Sequence, residues 1–301
     1  MQEPSIFKKI IVLISLLIIC VLIGNLSLIG LAHLGGFDIE DSSQIFDAVS
    51  DPVLRPYIKA GIGINHLFTF AISSIAFALI IYKRGWLDYF QFKSIDSRLL
   101  FLFIILLVAA YPFIGLSSTL FEGIEFPEWM NQMEADSIDA LMSMLEMNNG
   151  LDVLFNLIII AAIPAIGEEL LFRGIIQKQL VKYLSNPHVA IILASFIFSA
   201  IHLQINGLLP KFIIGLILGY AYYWTKSIWY PIIIHFINNG SQTIILFFTG
   251  DLEEISNLEP EEPDLQYLII AAAISSILCF FIVRKIKKVL KENTITPAKW
   301  D

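Results

Sequence analysis

Long apolar stretches recur along the chain between short polar intervals. Eight of them approach the roughly 20 residues that a helix needs to cross a bilayer core about 30 Å thick. They cover residues 10–34, 60–82, 99–121, 152–172, 188–205, 208–225, 229–249 and 266–283. The pattern predicts an all-α, polytopic membrane protein of about eight transmembrane helices. Only Asn206-Gly207 separates the fifth stretch from the sixth. Ser185-Asn186-Pro187 reads as a turn, because proline disfavours helix at the residue before it. Gly215 and Gly219 form a G-x-x-x-G, read as close helix packing. The intervals 36–59, 122–150 and 250–265 are acidic loops, the second with a short surface helix near residues 138–147.

Composition agrees. Hydrophobic residues make up 57% of the 301 and charged residues 15%, against about 25% charged in an average soluble domain. A net charge of -8 lacks the basic balance of a nucleic-acid binder. Cys20 and Cys279 both sit in apolar runs, so no disulfide framework is expected. With the N-terminus inside, Lys8, Lys9, Lys83, Arg84, Lys178, Lys182, Lys226 and the basic tail from Arg284 fall on the cytoplasmic side. Only Arg55, Lys59 and Lys211 fall outside, as the positive-inside bias requires. Both termini are therefore expected in the cytoplasm. The first run follows Lys8 and Lys9 like a secretory signal, but it exceeds a 7 to 15 residue signal core and shows no small-residue cleavage site, so a retained anchor is expected.

Ionisable residues inside spans are costly and point to function. Here they gather in the second half of the chain, as Glu168, Glu169 and Arg173 in the fourth span, His202 in the fifth, four residues after Phe198, and His235 in the seventh, four residues before Asn239. Glu169 and Arg173, Phe198 and His202, and His235 and Asn239 are each four residues apart, on one helix face. Glu169 is thus expected to pair with Arg173, leaving Glu168, about 100° around the helix, to face a cavity. Glu168 lies 18 residues before Asn186 and His202 16 after it, so an antiparallel hairpin sets them at similar heights. That needs the fourth helix to run on through Gln177–Tyr183. His235 follows the Lys226-Ser227 turn by about 12 Å of helix, and all three are expected to meet in the cytoplasmic half of the membrane. His66, near the second span, is read as an interhelical hydrogen-bonder.

Low-dielectric burial favours the neutral forms of carboxyl and imidazole, which suits general acid–base work on water. Glu168, His202, His235 and Asn239 also include the donors that an amide-hydrolysis oxyanion needs. No serine or cysteine nucleophile stands out, H-E-x-x-H is absent, Gly115-Leu116-Ser117-Ser118 is a poor serine-protease loop, and no membrane aspartates pair.

E-E-x-x-x-R at Glu168, Glu169 and Arg173, F-x-x-x-H at Phe198 and His202, and H-x-x-x-N at His235 and Asn239 together resemble the CPBP family, which holds the type II CAAX prenyl endopeptidases and the Abi bacteriocin-processing and self-immunity proteins. The resemblance covers about residues 151–250, between an N-terminal region of 1–150 and a C-terminal region of 251–301 with the last helix and basic tail. It implies an intramembrane endopeptidase of a bacterial inner membrane, open to the cytoplasm, cleaving a membrane-bound or lipidated protein or peptide. Glu168 with His202 would activate water, His235 and Asn239 would hold the oxyanion, and Glu169, Arg173 and Phe198 would support them. The same residues permit a divalent metal such as zinc on Glu168, His202 and His235, with one position open for water. Two other classes remain open: a non-catalytic scaffold or immunity protein of the same family, and a cation- or proton-coupled transporter. The latter should show two-halved repeat symmetry, which is not evident.

Overall fold

The computed structural model describes residues 4–39, 44–45, 48, 51–121, 124, 126–249 and 265–293. The longer helical stretches among them are α1 Ile6–Leu34, α2 Arg55–Phe90, α3 Ser97–Phe121, α4 Glu128–Leu145, α5 Gly150–Leu184, α6 Pro187–Ala200, α7 Ile205–Thr225, α8 Trp229–Thr249 and α9 Leu265–Glu292. Seven of these, all but α4 and α6, are long and apolar enough to cross a membrane. The acidic interval 250–264 and the tail 294–301 lie outside the described residues.

Two expectations change. The fifth span, placed at 188–205, is the 14-residue α6, which ends at Ala200, and the break before α7 falls at residues 201–204 rather than at Asn206-Gly207. Leu203 turns the chain with a positive φ of 54°. Gln204 then starts α7 in extended geometry without a side-chain cap bond, and the Glu134 carboxylate on α4 accepts from the Asn206 N–H at 3.1 Å. An acid at a helix N-terminus satisfies an otherwise orphaned donor and complements the helix dipole, so α7 can begin where its own sequence supplies no good cap. The surface helix expected near 138–147 is the longer α4.

The fourth helix does run on through Gln177–Tyr183. It ends at Ser185, in left-handed geometry, and Asn186 caps α6 by accepting from the N–H groups of His188 and Val189. It is not α-helical throughout, since Leu157–Ala162 and Phe172–Gln177 wind as π-helix. In α2, Leu67–Ile72 does the same. Such i→i+5 segments are rare and concentrate at functional sites.

The described residues pack as two compact units, one drawn from 4–90, 135–171 and 236–249, the other from 91–134, 172–235 and 265–293. In the first, α1 crosses α2 where Gly24 meets the Asn65 backbone and Gly61 meets Leu28, the close approach that small residues allow in lipid. Lys59 donates to the Asn156 side-chain oxygen at 3.0 Å, and Arg55 meets Glu146 at 2.6 Å, which ties α2 to α5 and to the end of α4.

In the second unit, Phe103 and Leu107 of α3, Leu218 and Ala221 of α7, Ile234 of α8 and Ile286 of α9 form one apolar core. At one end of that core Asp96 caps α3 by accepting from the Arg98 and Leu99 N–H groups, and its second oxygen accepts from the Asn293 amide at 2.7 Å. The Tyr230 hydroxyl accepts from the Asp96 N–H at 2.8 Å and donates to its carbonyl. Burial would raise the Asp96 carboxyl, but the bonds from Asn293, Arg98 and Leu99 and the Arg98 charge outweigh it and hold the group below the usual carboxylate range. A depressed folded value contributes stability above the unfolded value of about 3.9 and loses it as pH falls through the folded one. Asp96→Ala is expected to cost about 1 kcal/mol through the lost cap, read as a lower thermal midpoint in detergent at neutral pH. The gap from wild type should close on acidification, and a gap unchanged at acid pH would refute this origin.

Candidate active site

The motif residues fall in both units, and each group is built by different neighbours. In the first unit, Glu168 and Glu169 lie on the α-helical stretch Ile163–Leu171 of α5 and are 5% and 0% exposed. Gly167, just before them, faces α2: a β-carbon there would stand 2.9 Å from the Phe70 β-carbon and 3.1 Å from the Ala71 nitrogen. Only a glycine lets these backbones come so close. The approach sets Glu168 Oε1 3.1 Å from His66 Nε2, at ion-contact range without full hydrogen-bond alignment. His66 thus makes a polar contact to another helix, in line with its reading as an interhelical group. That its partner is Glu168 was not legible, because α2 carries no motif.

Asn239 of α8 is held from two sides. Its Nδ2 donates to the Ile160 carbonyl at 3.3 Å, in the π-helical segment of α5, and its oxygen accepts from Asn238 at 3.1 Å. A carboxamide carries two N–H donors, so this anchoring bond leaves one for other work.

In the second unit the ring of Phe198 on α6 is the hub. The Arg173 guanidinium lies over its face at 4.5 Å from the centroid. Phe172 meets it edge-on at 5.2 Å, and the rings of His202 and His235 meet it at 5.2 and 5.8 Å. The electron-rich face of an aromatic ring attracts a cation, and the ring edge suits tilted aromatic contacts, so one side chain orients four others. The sequence brings these residues to one place through three helices: Arg173 from α5, His235 from α8, and Phe198 with His202 from α6 and the turn after it.

Arg173 also donates to the Gly215 carbonyl at 3.1 Å, and Gln177, four residues on, donates to the Gly219 carbonyl at 3.0 Å. The G-x-x-x-G reading as close packing is the observed one. Added β-carbons at Gly215 and Gly219 would stand 3.0 Å from Ser195 and 2.8 Å from Ile191 of α6. Arg173 itself lies in a π-helical segment, and Glu169 in the α-helical stretch before it.

His202 stands two residues beyond the end of α6, so the four-residue spacing to Phe198 works through the backbone as well as the ring. Its Nδ1 lies 2.8 Å from the Phe198 carbonyl. A carbonyl only accepts, so Nδ1 carries the proton, and Nε2 is the basic nitrogen of the neutral ring. His235 is 4% exposed.

Among the described residues no three His, Cys, Asp or Glu side chains are gathered closely enough to share one metal ion.

Comparison with known proteins finds a family match over part of the chain. Residues 150–241 match the family described as type II CAAX prenyl endopeptidase Rce1-like. The match takes in every motif residue from Glu168 to Asn239 and bears out the resemblance drawn from the three motifs. Helices α1 to α4 and α9 lie outside it. A stretch of 86 residues is 33% identical to the uncharacterized protein YpbD of Bacillus subtilis (strain 168), covering 27% of this chain and 41% of that relative. The chain thus spans less than half of that relative's length. No solved structure matches. The family and the apolar helices together make this an integral membrane protein.

Proposed function

We propose that the chain is an intramembrane endopeptidase that hydrolyses a peptide bond of a membrane-associated or lipidated protein or peptide. The observation that best supports this reading is the Phe198 hub, which holds a basic His202 Nε2 and His235 against one ring, within the segment that matches a prenyl endopeptidase family. In the proposed reaction the Glu168 carboxylate takes a proton from water as the hydroxyl oxygen bonds to the scissile carbonyl carbon. His202 Nε2 accepts a hydrogen bond from the same water and orients it. The carbonyl oxygen becomes an oxyanion, and His235 and the remaining Asn239 N–H donate to it. When the carbon–nitrogen bond breaks, Glu168 returns its proton to the leaving amine, so base and acid are one group.

Glu168, His202 and His235 are the carboxylate and two imidazoles that would hold a divalent metal in this reading. Bound there, a zinc ion would make its water a nucleophile at neutral pH.

Cleavage of a farnesylated CAAX-type peptide by the purified full chain in lipid nanodiscs tests the reading, with and without a chelator. Proteolysis unaffected by chelation is the expected result. Loss on chelation that zinc restores would move the reaction to the metal form. An intact peptide, together with intact membrane-anchored control peptides, would overturn the peptidase reading.

A further inference from the structure

The contact between His66 and Glu168 belongs to no motif and lies outside the family-matched segment on its α2 side. It is nevertheless built on both sides. His66 is the last residue of the α-helical stretch Arg55–His66, and the π-helical Leu67–Ile72 begins immediately after it. The ring lies against Phe70, with centroids 4.4 Å apart and planes tilted by 32°, so it cannot swing along α2. Opposite, Gly167 brings α5 against Phe70 and Ala71, the same π-helical turn that flanks the ring. One short segment therefore fixes the imidazole and admits the helix that carries the carboxylate.

We infer that His66 is a positioning residue for Glu168: standing 3.1 Å from Oε1, it biases how the carboxylate is turned and so the plane in which the other oxygen meets water. This rests on the peptidase reading for its consequence but not for the contact itself. A glutamate side chain has three rotatable bonds, and a general base must lie within about 3.2 Å of the proton it takes. A misplacement of 1 Å can cost about 10²-fold in rate. Groups that orient a reactive carboxylate or imidazole from behind are worth roughly 10- to 100-fold in activity when removed.

The pair is tested on the full chain in nanodiscs, labelled with ¹⁵N on its five histidines. The His66 resonance, assigned by its loss in His66→Gln, should shift in Glu168→Gln and stay in place in Glu292→Gln. Gly167→Ala, which touches neither side chain, should shift it as well. With the farnesylated peptide, His66→Ala should lower kcat by roughly 10- to 100-fold with KM held within about twofold, the mark of an interaction used only in the transition state. His66→Gln, whose amide N–H reaches a similar distance, should recover most of that loss. Unchanged His202 and His235 resonances in both variants show that the fold survives. A His66 resonance indifferent to Glu168→Gln overturns the pair, and wild-type kcat in His66→Ala overturns its positioning role. A wild-type chain that leaves the peptide whole counts against the peptidase reading, and the resonance shift then decides the contact by itself.

Discussion

Glu168→Gln loses cleavage by about 10²- to 10⁴-fold, the usual worth of a positioned general base, while KM for the same peptide stays near its wild-type value. Glutamine matches glutamate in shape, and position 168 is only 5% exposed, so the packing around Gly167 and Phe70 is kept and the lost group is the base alone. His202→Ala falls by a similar factor for a different reason. Its Nδ1 is committed to the Phe198 carbonyl, and the substitution removes the one basic nitrogen that this bond presents. In the proposed reaction both groups serve one water, so the double variant should be little worse than either single one, as for residues that work as a unit. Single-turnover cleavage in nanodiscs measures all three. Either single variant at wild-type rate would refute its assigned role, and additive losses would separate the two groups into different steps.

Phe198→Ala is expected to be the most damaging change to the fold near the site. The ring is 3% exposed and touches Phe172, His202 and His235 while carrying the Arg173 guanidinium over its face. Truncating a buried phenylalanine costs about 3–5 kcal/mol, and a desolvated cation–π contact adds about 2 kcal/mol. Arg173, 1% exposed, would be left beside a void. The measurement is the thermal midpoint in detergent alongside kcat. Phe198→Leu separates the two effects, since it refills most of the void and gives up chiefly the ring contacts, the cation–π one included. It should keep most of the stability and still lose activity, because no aromatic face and edge remain to orient His202 and His235. A leucine variant with wild-type kcat would reduce Phe198 to a filler.

Much of this was legible along the chain. Apolar length alone marks the helices, and Asn186-Pro187 sits where one helix ends and the next is capped. The continuation of α5 to Leu184 followed from requiring Glu168 and His202 to share a height. The four-residue spacings picked out Arg173, Phe198, His202 and His235, which do gather in one unit. What could not be read was local winding. Nothing in Leu67–Ile72, Leu157–Ala162 or Phe172–Gln177 signals π-helix, and one extra residue per turn changes which side chains share a face. The end of α6 was equally hidden, because apolar residues run past Ala200 and a leucine at positive φ has no sequence signature.

Hydropathy and spacing are properties of single segments, so the order of residues is enough to mark the membrane helices and the ionisable groups within them. The tertiary structure alone decided what each of those residues touches. Arg173 meets a carbonyl of α7 and a ring of α6, Glu134 caps a helix 71 residues further on, and His66 stands beside Glu168. Such contacts depend on how closely two backbones approach, and a glycine such as Gly167 reveals its use only once the helix facing it is known.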